Sequence, residues 1–171
     1  MHKMEVSKMT TITRYSFETN QNETYEQIFQ RALYPVKGEK IYITAERYRR
    51  LSDGEFFEPF DDPDRNLNRA FQCYRDQHHL LSPDQIKATR LKYHLSIRDF
   101  TKILGIGYGN LSSIENGAIQ TPYIDALITM AAEPMAFKRL VLQKQALLTP
   151  KVYTALTHLF PQLITTSQNR S

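Results

Sequence analysis

The chain has 171 residues, with 22 Lys and Arg against 18 Asp and Glu for a net charge of +4, and one cysteine. That length suits one ordinary domain or two small ones, and two small ones are expected; the mild basicity fits an anionic partner and fits plain solvation equally. A lone Cys73 excludes an intramolecular disulfide and a multi-cysteine zinc site, and with no apolar run near the roughly 20 residues of a membrane span and no leader-like apolar centre in 1–14, the expected location is the cytoplasm with no membrane partner.

In chain order, 1–14 shows no sustained period and reads as a poorly ordered start or a short strand. Between Glu23 and Leu33, Tyr25, Ile28, Phe29 and Leu33 recur at helical spacing and predict a short amphipathic helix. Pro35 and Gly38 signal a turn, and Lys40–Tyr48 alternates like a half-buried strand, with Ile41 and Ile43 on one side and Tyr42 and Thr44 on the other. Ser52, Asp53 and Gly54 form a second turn into Phe56 and Phe57, which predicts a hairpin. Asp61, Asp62 and Asp64 flank Pro63 as a helix N-cap signal, because short carboxylates accept the open amides of a first turn and oppose its dipole. Read as a metal cluster, the same aspartates lack calcium-loop spacing. The helix they start carries Leu67, Ala70, Phe71 and Tyr74 as an apolar stripe that runs up to His78.

Leu81-Ser82-Pro83-Asp84-Gln85-Ile86 supplies a capping Ser, a first-turn Pro, and acidic and amide residues, so a helix is predicted from Ser82 to about Tyr93. Leu95-Ser96 caps a second helix, Ile97–Leu104, with Phe100, Ile103 and Leu104 on its apolar face and Gly105 as its stop. A turn over 106–110 leads to a third helix, Asn110–Glu115, closed by Asn116-Gly117. Further helices are predicted over Tyr123–Ala132, Pro134–Leu148 and the tail from Leu140 to Ile164. A short helix, a glycine-bearing turn and a following helix form the arrangement of a helix-turn-helix, whose later helix places its N-terminal side chains in the DNA major groove.

The string LSIRDFTKILGIGYGNLSSIENGAIQTP resembles the Xre family of phage-repressor domains in its Leu-Ser start, the Phe and Leu-Gly of the second helix, and the closing Glu-Asn-Gly. A longer resemblance, over about Val36 to Met130, is to MqsA/YgiT-type antitoxins, in which a small zinc ribbon precedes the repressor-like domain. Lys37-Gly38-Glu39, Gly54-Glu55, Asn66 to Ala70, Tyr74-Arg75 and Leu81 to Arg90 follow that pattern in order. Where that family carries Cys-x-x-Cys, this chain has Arg50 and Asp53, so no zinc or other cofactor is expected. Phe56, Phe57 and Phe60 are the candidate apolar replacements for the metal. The expected fold is mainly α: a repressor-like helix-turn-helix bundle preceded by a small α+β module of degenerate zinc-ribbon type. Its parts are the module over 1–62, a linking helix over 63–80, the helix-turn-helix over 81–132, C-terminal helices over 133–164, and a disordered tail over 165–171.

Xre-type domains usually place a phosphate-binding Gln after the Leu-Ser and often an Arg or Lys in the recognition helix; Ile97 and Ser113 stand there. Arg98, Lys102, Tyr108, Asn110, Ser112, Ser113 and Asn116 remain as the candidate DNA-contacting residues. Asn pairs bidentately with adenine and Ser donates to phosphate, while Asn110 reads equally as the N-cap of its helix. Gly105, Gly107 and Gly109 lack the preceding strand of a nucleotide loop. The adjacent His78 and His79 diverge around a helix and read as a solvated end, and Cys73 reads as a small core residue. No activated nucleophile or acid–base pair stands out, so an enzyme is not expected. The apolar tail either completes the repressor core or forms a dimer interface, the dimer being favoured because two-fold operators reward a second copy. The function expected is a DNA-binding transcriptional regulator, an antitoxin-like repressor acting as a homodimer on duplex DNA, with a toxin-like protein partner at the N-terminal module. The alternative is a protein-binding inhibitor or adaptor on a repurposed scaffold.

Overall fold

The computed structural model describes residues 10–168, and the chain divides into two compact units, Met1–Tyr74 and Arg75–Ser171. Among the described residues are seven α-helices and one four-stranded antiparallel sheet, a mixed α and β content instead of the mainly α one expected.

In the first unit, β1 (Thr11–Ser16), β2 (Gln21–Val36), β3 (Glu39–Arg50) and the short β4 (Phe56–Phe57) lie in chain order across the sheet. The helix expected over Glu23–Leu33 is therefore part of β2. Tyr25, Phe29 and Leu33 are spaced by four, which is close to one helical turn and is also two full strand repeats, so the pattern satisfies both periods. Pairing decides between them: Tyr25–Val36 matches Glu39–Arg50 in unbroken antiparallel register. The two-residue turn between these strands, Lys37-Gly38, has φ of 51° and 86°, as the tight turn favoured by twisted hairpins requires. The second hairpin also forms, with Tyr48 opposite Phe57. Thr11–Arg14 is strand, while the rest of the expectation for the start falls on 1–9, outside the described residues.

No helix lies within the described part of the module, so it is a sheet and not the α+β unit expected. Tyr25, Tyr48, Phe57 and Phe60 form its aromatic cluster, with Tyr25 4.9 Å and Tyr48 5.1 Å from Phe60 between ring centres and the Arg14 guanidinium 4.6 Å above Phe60. Phe57 and Phe60 thus pack as expected; Phe56 is 47% exposed and does not. Arg50 and Asp53, singled out by their spacing, form an ion pair at 2.7 Å, and the buried Arg50 also reaches Glu18 and Glu55. The first helix, α1 (Arg65–Gln77), begins just after the aspartates, but Asp61 and Asp62 spend their carboxylates on the Arg65 guanidinium. Asn66 is buried and caps the sheet edge: its Oδ1 accepts from the Glu46 amide at 2.9 Å and its Nδ2 donates to the Glu46 carbonyl at 2.7 Å. Cys73 is half-buried on α1, and His78 and His79 are exposed at its end.

Four carboxylates in this unit sit below their ordinary range, Asp61 among them through its hydrogen bond from Arg65. Hydrogen bonds from Arg50 hold Asp53 down, hydrogen bonds from Gln21 and Ser52 lower Glu23, and at Glu46 burial pushes upward but is overcome by Gln27 and Arg65. Folded values below unfolded ones stabilise the fold fully above the ordinary carboxylate range, near pH 4, and that stabilisation vanishes as pH falls through the depressed values. Acid titration followed by Tyr fluorescence should show the sheet loosening below about pH 4, and Arg50→Met should flatten the dependence while weakening the fold at neutral pH. A sheet equally stable at neutral and strongly acidic pH would contradict this ion-pair account.

The second unit is helical: α2 (Pro83–Lys92), α3 (Ile97–Leu104), α4 (Tyr108–Glu115), α5 (Pro122–Ala131), α6 (Pro134–Gln143) and α7 (Pro150–Gln168). The long fifth helix expected to Leu148 ends at Gln143, and a 3-10 turn over Gln145–Leu147 separates it from α7. Ile86, Tyr93, Phe100, Leu111, Ile128 and Phe137 lie in one core, and Leu148, Leu156 and Phe160 from the tail join it. The tail therefore contributes to the core of its own chain, the first of the two roles weighed for it. Helix α7 also runs to Gln168, so 165–168 is ordered where a disordered tail was expected; 169–171 lies outside the described residues.

Candidate nucleic-acid interface

Local chemistry fixes the helices that carry the candidate residues. Ser82 closes a full capping box with Gln85, the Ser96 hydroxyl accepts from the Asp99 amide at 3.1 Å, and Gly105 ends α3 at φ 72°, a left-handed conformation that strains a side chain. Phe100, Thr101, Ile103 and Leu104 turn α3 inward, as Leu111 and Ile114 do for α4.

One buried ion pair pins the two ends of this segment. Arg90 on α2 donates through Nε and Nη2 to the two carboxylate oxygens of Glu115 on α4, both at 2.7 Å, and through Nη1 to the Leu95 carbonyl at 2.7 Å. The hydrogen bonds to Glu115 hold the guanidinium charged against the cost of burial. Glu115 thus gives the Glu-Asn-Gly string a structural role that sequence reading missed. Arg90 carried no signal of it beyond being a charge inside an amphipathic helix.

Arg98 and Lys102 are exposed and four residues apart, so they share the outer face of α3. On α4, Asn110, Ser113 and Asn116 are exposed at spacings of three and lie on one outward face with Gly109. Tyr108 is 55% exposed and Ser112 half-buried on the flank. Two assignments change. The third helix starts at Tyr108, with Gly107 as its N-cap, so Asn110 is a first-turn residue and not the cap. Asn116 sits at the far end, where its Nδ2 donates to the Ser112 carbonyl at 2.8 Å and finishes the helix. Ile97 is half-buried against the core, which explains an apolar residue at a position expected to hold a phosphate-binding amide.

Because Gly107 has no side chain, the first-turn amides of α4 have no side-chain acceptor and point their partial positive charge outward. Of the three glycines, only Gly105 has a positive φ. A Cβ built on Gly109 meets no atom within 4 Å, so nothing inside the chain requires glycine there. Among the described residues no three His, Cys, Asp or Glu side chains are grouped to hold a metal ion, and no helix is long and apolar enough to cross a membrane. No family model, curated protein or solved structure matches this chain.

Proposed function

We propose that the chain binds duplex DNA through α3 and α4 as a transcriptional regulator of the repressor or antitoxin kind, on a helix-turn-helix of the Xre type. The observation that carries this reading is the open first turn of α4: a helix N-terminus with no side-chain cap, with Tyr108, Gly109 and Asn110 all exposed, that follows α3 and its exposed Arg98 and Lys102. Such a helix end offers amides to phosphate and side chains to base edges, and the absent Cβ at Gly109 allows close approach to a duplex. Pairing of two chains is favoured by the two-fold symmetry of operators. A protein partner at the N-terminal module is favoured by Leu33 and Tyr42, exposed at paired positions of β2 and β3, and by Phe29, exposed four residues before Leu33 on β2. The Arg50–Asp53 pair and the aromatic cluster do, in this reading, the stabilising work of a ribbon's metal.

Fluorescence anisotropy with a pool of random-sequence duplexes, taken through a salt series, tests the DNA reading. Affinity should fall steeply with salt, and Arg98→Ala and Lys102→Ala should each flatten the log–log slope by about 0.9. Gly109→Ala should leave the melting temperature unchanged or raise it, since Ala favours a helix by up to about 1 kcal/mol, while weakening binding. Salt-independent binding, or no binding of any duplex, would refute the proposal in favour of the adaptor.

A further inference from the structure

Strand β3 has an outer edge, the one away from β2, that is open along part of its length. The amide and carbonyl of Glu46 point to that edge, where Asn66 takes both. Backbone groups two residues apart on a strand point the same way, so those of Lys40, Tyr42 and Thr44 lie along it too. Further on, the edge is closed by β4 at Tyr48 and by the Glu55 carbonyl, which accepts from the Arg50 amide at 2.8 Å. Over Lys40, Tyr42 and Thr44 no described residue hydrogen-bonds to it. All three residues are exposed, and Tyr42 stands opposite Leu33 on the outward face of the sheet. An unpaired strand edge of this kind is a template for another strand.

We infer that this edge pairs with the same edge of a second copy of the chain, two sheets joining antiparallel about Tyr42. Self-complementarity names the occupant. Across a two-fold axis at Tyr42 the tyrosine meets its own copy, an aromatic pair, and Lys40 meets Thr44, so no like charges are opposed. In that register Glu46 falls opposite the Lys37-Gly38 turn of the second copy, where its strand has ended. Asn66 thus closes the edge at the point where pairing stops. The free edge of β2 beyond Gln27 fits worse: about its middle, Arg31 would face Arg31, and Pro35 has no N–H to give. Joined through β3, the face that carries Phe29, Leu33 and Tyr42 stays outward and doubles in extent. The contact is short, so the pairing is weak and reversible. It deepens the pairing of two chains proposed above without resting on DNA binding.

Sedimentation equilibrium of the full chain without DNA, over a concentration series, tests this. It should show reversible dimers of twice the 20.0 kDa chain. Tyr42→Lys sets like charges against each other across the axis and should weaken the dimer about tenfold or more. Thr44→Pro removes an outward N–H and places a ring on the edge; it should do the same with the circular dichroism spectrum intact. In a Cys73→Ser background, mild oxidation should link Tyr42→Cys chains into covalent dimers and leave Phe29→Cys chains, altered on the opposite edge, unlinked. A dimer unmoved by Tyr42→Lys, or linkage of Phe29→Cys in preference to Tyr42→Cys, would overturn the assignment whether or not Thr44→Pro folds. A chain monomeric throughout the series would overturn it too and leave the edge to a strand of another protein. None of these variants lies on α3 or α4, so the salt series on duplex DNA fails or succeeds separately.

Discussion

Glu115→Ala lowers the stability of the C-terminal unit by about 3–5 kcal/mol, the usual loss when one partner of a buried ion pair is removed. Both side chains are nearly out of water, 9% exposed for Arg90 and 6% for Glu115. With the carboxylate gone, the guanidinium keeps only the Leu95 carbonyl as a partner and stays in a site that disfavours an uncompensated charge. For a domain of this size each kcal/mol moves the melting midpoint by roughly 4–8 °C, so the change is large in a thermal scan.

The same geometry separates the value of the pair from the penalty of breaking it. Arg90→Met combined with Glu115→Leu removes both charges, and apolar replacements of similar size often restore stability. The double variant should therefore melt well above Glu115→Ala and near the wild-type chain. Urea unfolding of the three proteins provides the comparison; a loss under about 1 kcal/mol in Glu115→Ala would mean that the pair behaves as an exposed one.

What could be read from the sequence was what local chemistry decides. Ser82, Ser96 and Gly105 mark helix ends because a cap acts over three or four residues of chain, and the structure places all three at helix ends. Exposure of Arg98, Lys102 and Asn110 likewise follows from their lying off the apolar stripes of short helices. What escaped depends on distant partners. Strand β2 exists because β3 pairs with it, and a spacing of four in Tyr25, Phe29 and Leu33 carries no information about which period applies. Arg90 and Glu115 are 25 residues apart and meet only once α2 and α4 pack. At Arg50 and Asp53 the missing thiolates point to apolar packing, while the ion pair that closes the turn forms only once the hairpin brings the two side chains together. The third helix starts two residues before Asn110 because Gly107, which caps without a side chain, leaves no chemical mark of a helix start.

Phe137→Ala should have an effect of the same size, about 3–5 kcal/mol, by opening a cavity where large side chains converge. Phe137 is fully buried, and its ring lies 4.1 Å from Tyr93, 5.5 Å from Phe100 and 6.3 Å from Phe160, centre to centre. One ring thus joins the end of α2, α3, α6 and α7, and its loss withdraws contact from all of them at once. Phe137→Leu refills most of the space and should cost less, since conservative swaps in volume are better tolerated than truncation. Phe160→Ala carries the argument to the tail: Phe160 is 1% exposed in the single chain, so it should also cost about 3–5 kcal/mol in unfolding by denaturant. Were α7 an appended helix whose apolar face served only to pair two chains, Phe160→Ala would leave that unfolding midpoint almost unmoved and Phe137→Ala alone would shift it.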